Sequence, residues 1–505
     1  MLGINLINEG NKSYFANPKS LLTNYPAWRP KWEAWLVAKR KSEPGVYGAL
    51  SAEPPANLTA TAEGAAFAQF LREAEESLFD RLKALLRDEL GCRAPLTNLN
   101  GGSDRTAAYF LPRTERYDYA DYHRYIDHPS FIETSWTLPA RTGNSNPLTD
   151  VRAGMASLLD LRIPGKPFTV SEWNYSGPSV HRSMGGLFYG AIHALQDHDG
   201  IFRFAWSQGK GGVENPEGKS AGGFFDIVGD PLGRASERIA ALLFMRGDLK
   251  PLEKSYIYRY TRAVASAALV DNPGGSATSD EHHWAGWYAK LGSVVGAAVP
   301  AGAIEAGVWP NAAKTKAQVW ADLGIVPPAD GSLPPAGEGQ VMVDRSLGSL
   351  AVSTPKTAAF FVPKGKGVAG PLVAQVGEKS ATVCAAAMDG EPLARSTRVL
   401  FFHLTECGNT GEQFSDDRQQ IVMKWGGRPA LMRAGKAEVE LTFEDGRYRT
   451  VWTLNEDGTP RREIPSWWQG AKLRFIADVA AEPTQASYQY EIKVTRPLGT
   501  HIIIR

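Results

Sequence analysis

The hydrophobic rhythm of the chain changes twice, and the changes divide it into three parts. Up to about residue 250, short apolar runs alternate with segments whose apolar residues recur every three or four positions. That is the pattern of strands feeding helices in a parallel sheet. The clearest helix is predicted from about Ala65 to Leu90. Phe67, Phe70, Leu71, Ala74, Leu78, Leu82, Leu85 and Leu86 recur at helical spacing on one face, and Gly91 supplies a stop. Further helices are expected over Asp150 to Arg162, along Met184, Leu187, Phe188, Ala191, Ile192 and Leu195, and over Ser236 to Met245 with Gly247 as terminator. Strands are expected near residues 3 to 8, 95 to 99, 117 to 122, 167 to 171 and 200 to 205.

From 251 to about 340 the composition shifts to Ala, Gly and Pro, with a Pro-rich stretch at 327 to 335, and a connecting subdomain ending in a linker is expected. From 341 onward the period is two. Ala437, Val439, Leu441 and Phe443 are apolar and the residues between them polar, Asp445-Gly446 supplies a turn, and Tyr448 to Leu454 reads as the hairpin partner. The expected fold is therefore α/β. An incomplete TIM-type barrel of about five βα units (1–250) is followed by the connecting subdomain (251–340) and a β-sandwich (341–505).

Composition narrows the function. The 505 residues are 43% hydrophobic and 22% charged with a formal net charge of +1, so neither nucleic acid nor an anionic membrane is an expected partner. No apolar run reaches spanning length and no leader pattern opens the chain, which leaves localisation open. Cys92, Cys384 and Cys407 lie in no metal-binding pattern; a Cys384–Cys407 bridge is the alternative to the preferred free thiols. No metal site and no organic cofactor are expected. A serine-type hydrolase loses support because no G-x-S-x-G elbow is present.

Two apolar runs end in a glutamate: Ile4 to Ile7 leads into Asn8-Glu9, and Phe168 to Ser171 leads into Glu172-Trp173. Barrel enzymes place reacting groups at the C-terminal ends of their strands, so these two acids are the candidate chemistry. On these residues the chain resembles the C-terminal part of a clan A glycoside hydrolase, the (β/α)8 group that includes β-galactosidases, β-glucosidases and cellulases. The resemblance covers roughly residues 3 to 250. It implies that Asn8-Glu9 ends the fourth strand, with Glu9 as acid/base, and that Glu172 ends the seventh as nucleophile. It also implies that Tyr122, His123 and Tyr125 lie by the nucleophile or the sugar, and that Trp206 forms the sugar platform. Trp173 is expected to supply an apolar wall.

The implied activity is retaining hydrolysis of β-linked hexosides by double displacement, of β-galactosidase or β-glucosidase type, on a carbohydrate substrate. The rival reading is a catalytically inactive carbohydrate-binding or structural fragment. The first three strands of the clan are missing from this sequence, so a homo-oligomer is expected to cover the open barrel edge. Trp136 and Tyr175 are further candidate stacking residues, Asp121 and Glu133 alternative acids, and His282 and His283 are expected to be solvated.

Overall fold

The computed structural model describes residues 3–9, 18–58, 61–101, 107–155, 158–208, 223–267, 280–309, 314–326, 332–415 and 418–495. Five parallel strands follow one another in chain order: β1 (Ile4–Asn5), β2 (Leu96–Thr97), β3 (Ala120–Ile126), β4 (Phe168–Tyr175) and β5 (Gly200–Arg203). β1 pairs with β2, and β3, β4 and β5 form one sheet with β4 central. Between the two sets, Asp118 donates its N–H to the Leu96 carbonyl at 2.8 Å and the Thr97 hydroxyl donates to the Tyr119 carbonyl at 2.6 Å. Among the described residues no ladder joins β5 back to β1, so the array is open and no closed barrel forms.

Helices α1 (Trp28–Ser42) and α2 (Ala62–Ala84) lie between β1 and β2 and share a small core built on Trp32, Leu36, Phe67, Phe70 and Leu71. Thr61 caps α2 by accepting the Gly64 N–H at 3.1 Å. A wider turn at Leu85–Glu89 carries the helical path on to Gly91, whose φ of 60° ends it. α3 (Ala107–Glu115) precedes β3. The helix expected over Asp150 to Arg162 is instead two short turns, Val151–Gly154 and Leu159–Leu161, with residues 156–157 outside the described residues.

α4 (Gly185–Leu195) is buried all round, because three layers meet on it. On one side α5 (Pro231–Ala240) comes so close that a Cβ on Gly186 would sit 1.7 Å from the Ser236 carbonyl oxygen. Its other neighbour is a structure the sequence pattern does not predict. Residues 251 to 340 hold a second parallel sheet, β6 (Ser255–Tyr260), β7 (Lys290–Val295) and β8 (Ile304–Trp309), with β6 in the middle. Gln196, just after α4, donates to the Gly286 and Ala289 carbonyls at 2.6 and 2.8 Å, tying this layer on. His282 and His283 are buried here, not solvated: the His282 ring lies 4.3 Å from that of Tyr258, and burial lowers the pKa of both histidines. Residues 327–331 of the Pro-rich stretch lie outside the described residues.

Residues 341 to 494 form an antiparallel sandwich of an eight-stranded and a five-stranded sheet around a core of Ala, Val, Leu and Phe side chains. Lys436–Thr442 and Arg449–Leu454 lie in different sheets, so they are not hairpin partners. The buried Arg449 guanidinium explains the crossing. It bonds the Asp445 carboxylate at 2.6 Å and the Ser396 carbonyl at 2.8 Å, and covers the Phe443 ring at 3.8 Å, so the turn is pulled across the core. All three cysteines are free.

The sandwich also reaches the five-strand array. A four-stranded sheet runs Gln413–Phe414, Ile421–Lys424, Ala140–Arg141, Ser130–Phe131, so the loop after β3 is completed by two strands that belong to neither sandwich sheet but lie in the chain between sandwich strands Arg398–Leu404 and Lys436–Thr442. The buried Arg182–Asp230 ion pair adds a second tie, with Arg182 donating to the Cys407 carbonyl at 2.9 Å. Among the described residues no helix is long and apolar enough to cross a membrane.

Candidate active site

β3 and β4 pair in parallel, and the register shows where the site comes from. Ala120, Asp121 and Tyr122 face Phe168, Thr169 and Val170; then the register jumps, and His123 faces Glu172. Ser171 is thus an extra residue, a β-bulge. Strict alternation would put Glu172 on the same face as Phe168 and Val170, in the apolar core. The bulge reverses this. Phe168, Val170, Trp173 and Tyr175 all enter the core, while Glu172 joins His123 on the opposite face.

Asp121 pins the bulge. Its buried carboxylate accepts the Ser171 N–H at 3.1 Å, the Ser171 hydroxyl at 2.5 Å and the Thr169 hydroxyl at 2.6 Å. The first of these is a backbone N–H that the shifted ladder leaves without a strand partner. Asp121 therefore holds the bulge, and its Oδ2 also accepts from Asn100 Nδ2 at 3.3 Å.

Glu9 arrives from the end of β1 with φ at 49°, a left-handed conformation that is unusual for a glutamate. Asn100, beyond β2, accounts for it by accepting the Glu9 N–H on Oδ1 at 2.8 Å. That bond fixes the orientation of the amide, so Nδ2 is the atom 2.9 Å from His123 Nε2. An amide nitrogen only donates, which makes Nε2 an acceptor and puts the ring proton on Nδ1. His123 Nδ1 lies 3.0 Å from Glu9 Oε1 and 3.3 Å from Glu172 Oε2, so it serves both carboxylates. The Tyr125 hydroxyl donates to Glu172 Oε2 at 2.6 Å. Burial, and then Glu172 itself, raise the Tyr125 pKa well above the usual phenol range, so this donor stays protonated.

Glu9, His123 and Glu172 each present a ligand-type atom, all within 4.8 Å of one another. Such a trio can hold a cation in principle, but its imidazole faces the acids with the protonated nitrogen, and a metal needs a lone pair there. The donor set fits proton transfer between two carboxylates better than coordination.

The other sequence-derived candidates are distributed differently. Asn8 is at the site edge, its Oδ1 3.1 Å from Asn100 Nδ2. Tyr122 is buried in the core, because it alternates with Asp121 and His123 onto the other face of β3. Trp173 is fully buried, with Arg203 4.1 Å from its ring and the Tyr189 ring at 4.4 Å; it is packing and not a substrate wall. Tyr175 is likewise core. Trp206 is 54% exposed but opens into a cleft of about 660 Å³ toward the sandwich, with Arg234, Glu456 and Tyr488; none of Glu9, His123, Tyr125 or Glu172 lines that cleft. Trp136 and Glu133 are exposed on the loop after β3.

Asn100 is the site residue that the sequence pattern does not single out. Its signal was the one used for Glu9: a polar side chain just past an apolar strand.

No family model matches the chain, and no curated protein matches it. Among solved structures, a monomeric β-xylosidase from Caulobacter crescentus CB15 aligns at 9% sequence identity over 93% of this chain and 75% of that one, with a TM-score of 0.19. A likeness that weak carries neither fold nor activity across.

Proposed function

We propose that the chain is a retaining glycoside hydrolase acting on β-linked hexosides, of β-galactosidase or β-glucosidase type. The observation that carries this reading is the approach of Glu9 and Glu172, with carboxylate oxygens within 4.8 Å. Glycosidases set two carboxyl groups on either side of the scissile bond, and retaining enzymes hold them closer together than inverting ones, which leave room for a water.

In the first step Glu172 attacks the anomeric carbon as Glu9 passes a proton to the departing glycosidic oxygen, and a covalent glycosyl ester forms. Tyr125 and His123 both bond Glu172 Oε2, which leaves Oε1 as the attacking atom. In the second step Glu9 takes a proton from water, the water oxygen attacks the same carbon, and Glu172 departs as carboxylate. No step needs a metal or an organic cofactor. A second copy of the chain covering the free edges of the five-strand array belongs to the same reading, and the mass in solution tests it.

The test uses nitrophenyl β-glycosides and Glu172→Ala with and without azide. Loss of turnover with recovery of an α-glycosyl azide supports a nucleophilic Glu172, because the small anion attacks from the vacated face. Wild-type rates in Glu172→Ala, or in Glu9→Ala on an unactivated β-glycoside, would sink the assignment, whereas sugar binding by wild type with no detectable turnover would favour a non-catalytic carbohydrate-binding protein.

A further inference from the structure

We infer that Glu75, a buried carboxylate on α2, is a positioning residue for the acid/base Glu9 and acts on it through the side chain of Asn98. This rests on the hydrolase reading above and concerns one of its two carboxylates. Among the described residues the backbone ladder between β1 and β2 ends with the Leu6 N–H donating to the Thr97 carbonyl at 3.0 Å. Leu99 then takes φ at 62°, so the chain leaves strand geometry while Glu9 still has to be held. Side-chain amides replace the ladder there. Asn98 Oδ1 accepts the Ile7 N–H at 3.2 Å, and two residues on Asn100 Oδ1 accepts the Glu9 N–H at 2.8 Å. Asn98 can do this only with its oxygen toward β1. Glu75 sets that orientation, because its Oε1 accepts from Asn98 Nδ2 at 2.6 Å. A carboxylate only accepts, so it selects the amide nitrogen and leaves Oδ1 for Ile7.

The place of Glu75 on its helix argues for a role beyond packing. It follows Phe67 and Leu71 at four-residue spacing, with Phe79 next, so it stands on the apolar face of α2 and is 8% exposed. An apolar residue there would simply bury surface, whereas a carboxylate is buried without penalty only when it is hydrogen-bonded. Glu172 is placed by a different set of contacts, the bulge at Ser171 and the Tyr125 hydroxyl, and none of these runs through Asn98. Loss of Glu75 therefore loosens the acid and spares the nucleophile.

That separation supplies the test. Attack by Glu172 needs an acid when the leaving group is a phenolate, and far less when it departs as the stable 2,4-dinitrophenolate. The experiment measures kcat/KM on a phenyl β-glycoside and on the 2,4-dinitrophenyl β-glycoside of the same sugar, as a ratio that the fraction of folded enzyme does not change. Glu75→Met is expected to lower this ratio, phenyl over dinitrophenyl, about tenfold. Glu75→Gln, which keeps an oxygen for Asn98, is expected to leave it as in wild type. An unchanged ratio in Glu75→Met overturns the inference, as does an equal fall in Glu75→Gln. Should Glu75→Met not fold, Glu75→Asp, whose shorter side chain withdraws from Asn98, takes its place in these comparisons. If wild type cleaves neither glycoside, the hydrolase reading fails, and hydrogen exchange then decides the role of Glu75. The inference stands only if the amides of residues 4 to 9 exchange about tenfold faster in the variant while those of α4 hold their rate. Equal exchange, or a rise shared with α4, overturns it.

Discussion

The amide of Ser171 donates to the carboxylate of Asp121 at 3.1 Å, and this bond between neighbouring parallel strands secures the bulge that brings Glu172 to His123. Removing the acceptor leaves the half-buried Ser171 and Thr169 donors unmatched. Asp121→Ala is expected to lose about 1–3 kcal/mol of stability in all. It should also lose most activity, since Glu172 is no longer held on the face of His123. Urea midpoints and kcat/KM on one nitrophenyl glycoside check both; normal activity with only a stability loss would show that the bulge persists without its pin.

Tyr125→Phe removes the closer of the two donors to Glu172 among the described residues without opening a cavity. A hydrogen bond to a charged group contributes about 1.5–3 kcal/mol, so kcat is expected to fall about tenfold to a hundredfold with little change in melting temperature. Should kcat hold while only KM moves, Tyr125 binds sugar and does not support the carboxylate.

Trp173 is buried between Arg203 and Tyr189, which predicts a structural phenotype for its truncation. Trp173→Ala should cost about 3–5 kcal/mol. Affinity for a thio-linked disaccharide, measured well below the melting transition, should stay as in wild type. A selective loss of sugar affinity would return this residue to the site.

His193 and His198 form a buried pair with Nδ1 atoms 2.6 Å apart. Burial lowers His193 from 6.5 to about 3, and burial followed by its neighbour's charge holds His198 well below the usual imidazole range. The unfolded chain therefore takes up these protons first as pH falls. The pair's contribution is full above about 6.5 and is lost progressively on acidification below it, as the unfolded chain takes up protons that the buried rings do not. Replacing both with asparagine should flatten the slope of urea-derived stability between pH about 6.5 and about 4. An unchanged slope would place the acid sensitivity elsewhere.

Much of the fold is legible in the sequence, for local reasons. The period-four run in α2, the largely apolar α4 and the alternation at 437 to 443 each bury one kind of surface, and burial is what such patterns encode. The sheet at β6, β7 and β8 was not legible. Its central strand reads Ser-Tyr-Ile-Tyr-Arg-Tyr and has four of six residues buried, and the Ala- and Gly-rich connections around it resemble a linker.

The sequence by itself determined that strands deliver Glu9 and Glu172, since apolar runs leading into acids are local facts, although the strand expected to end at Ser171 runs on through Glu172 to Tyr175. It could not determine which way they point. Strict alternation sends Glu172 into the core with Trp173 facing out, and only the extra residue at Ser171, held by Asp121 on another strand, reverses that assignment. Facing is set by register, and register is a property of two strands together. The same holds for the proton on His123, placed by an amide that β2 delivers, and for the loop after β3, whose strands pair with Ile421–Lys424 far along the chain.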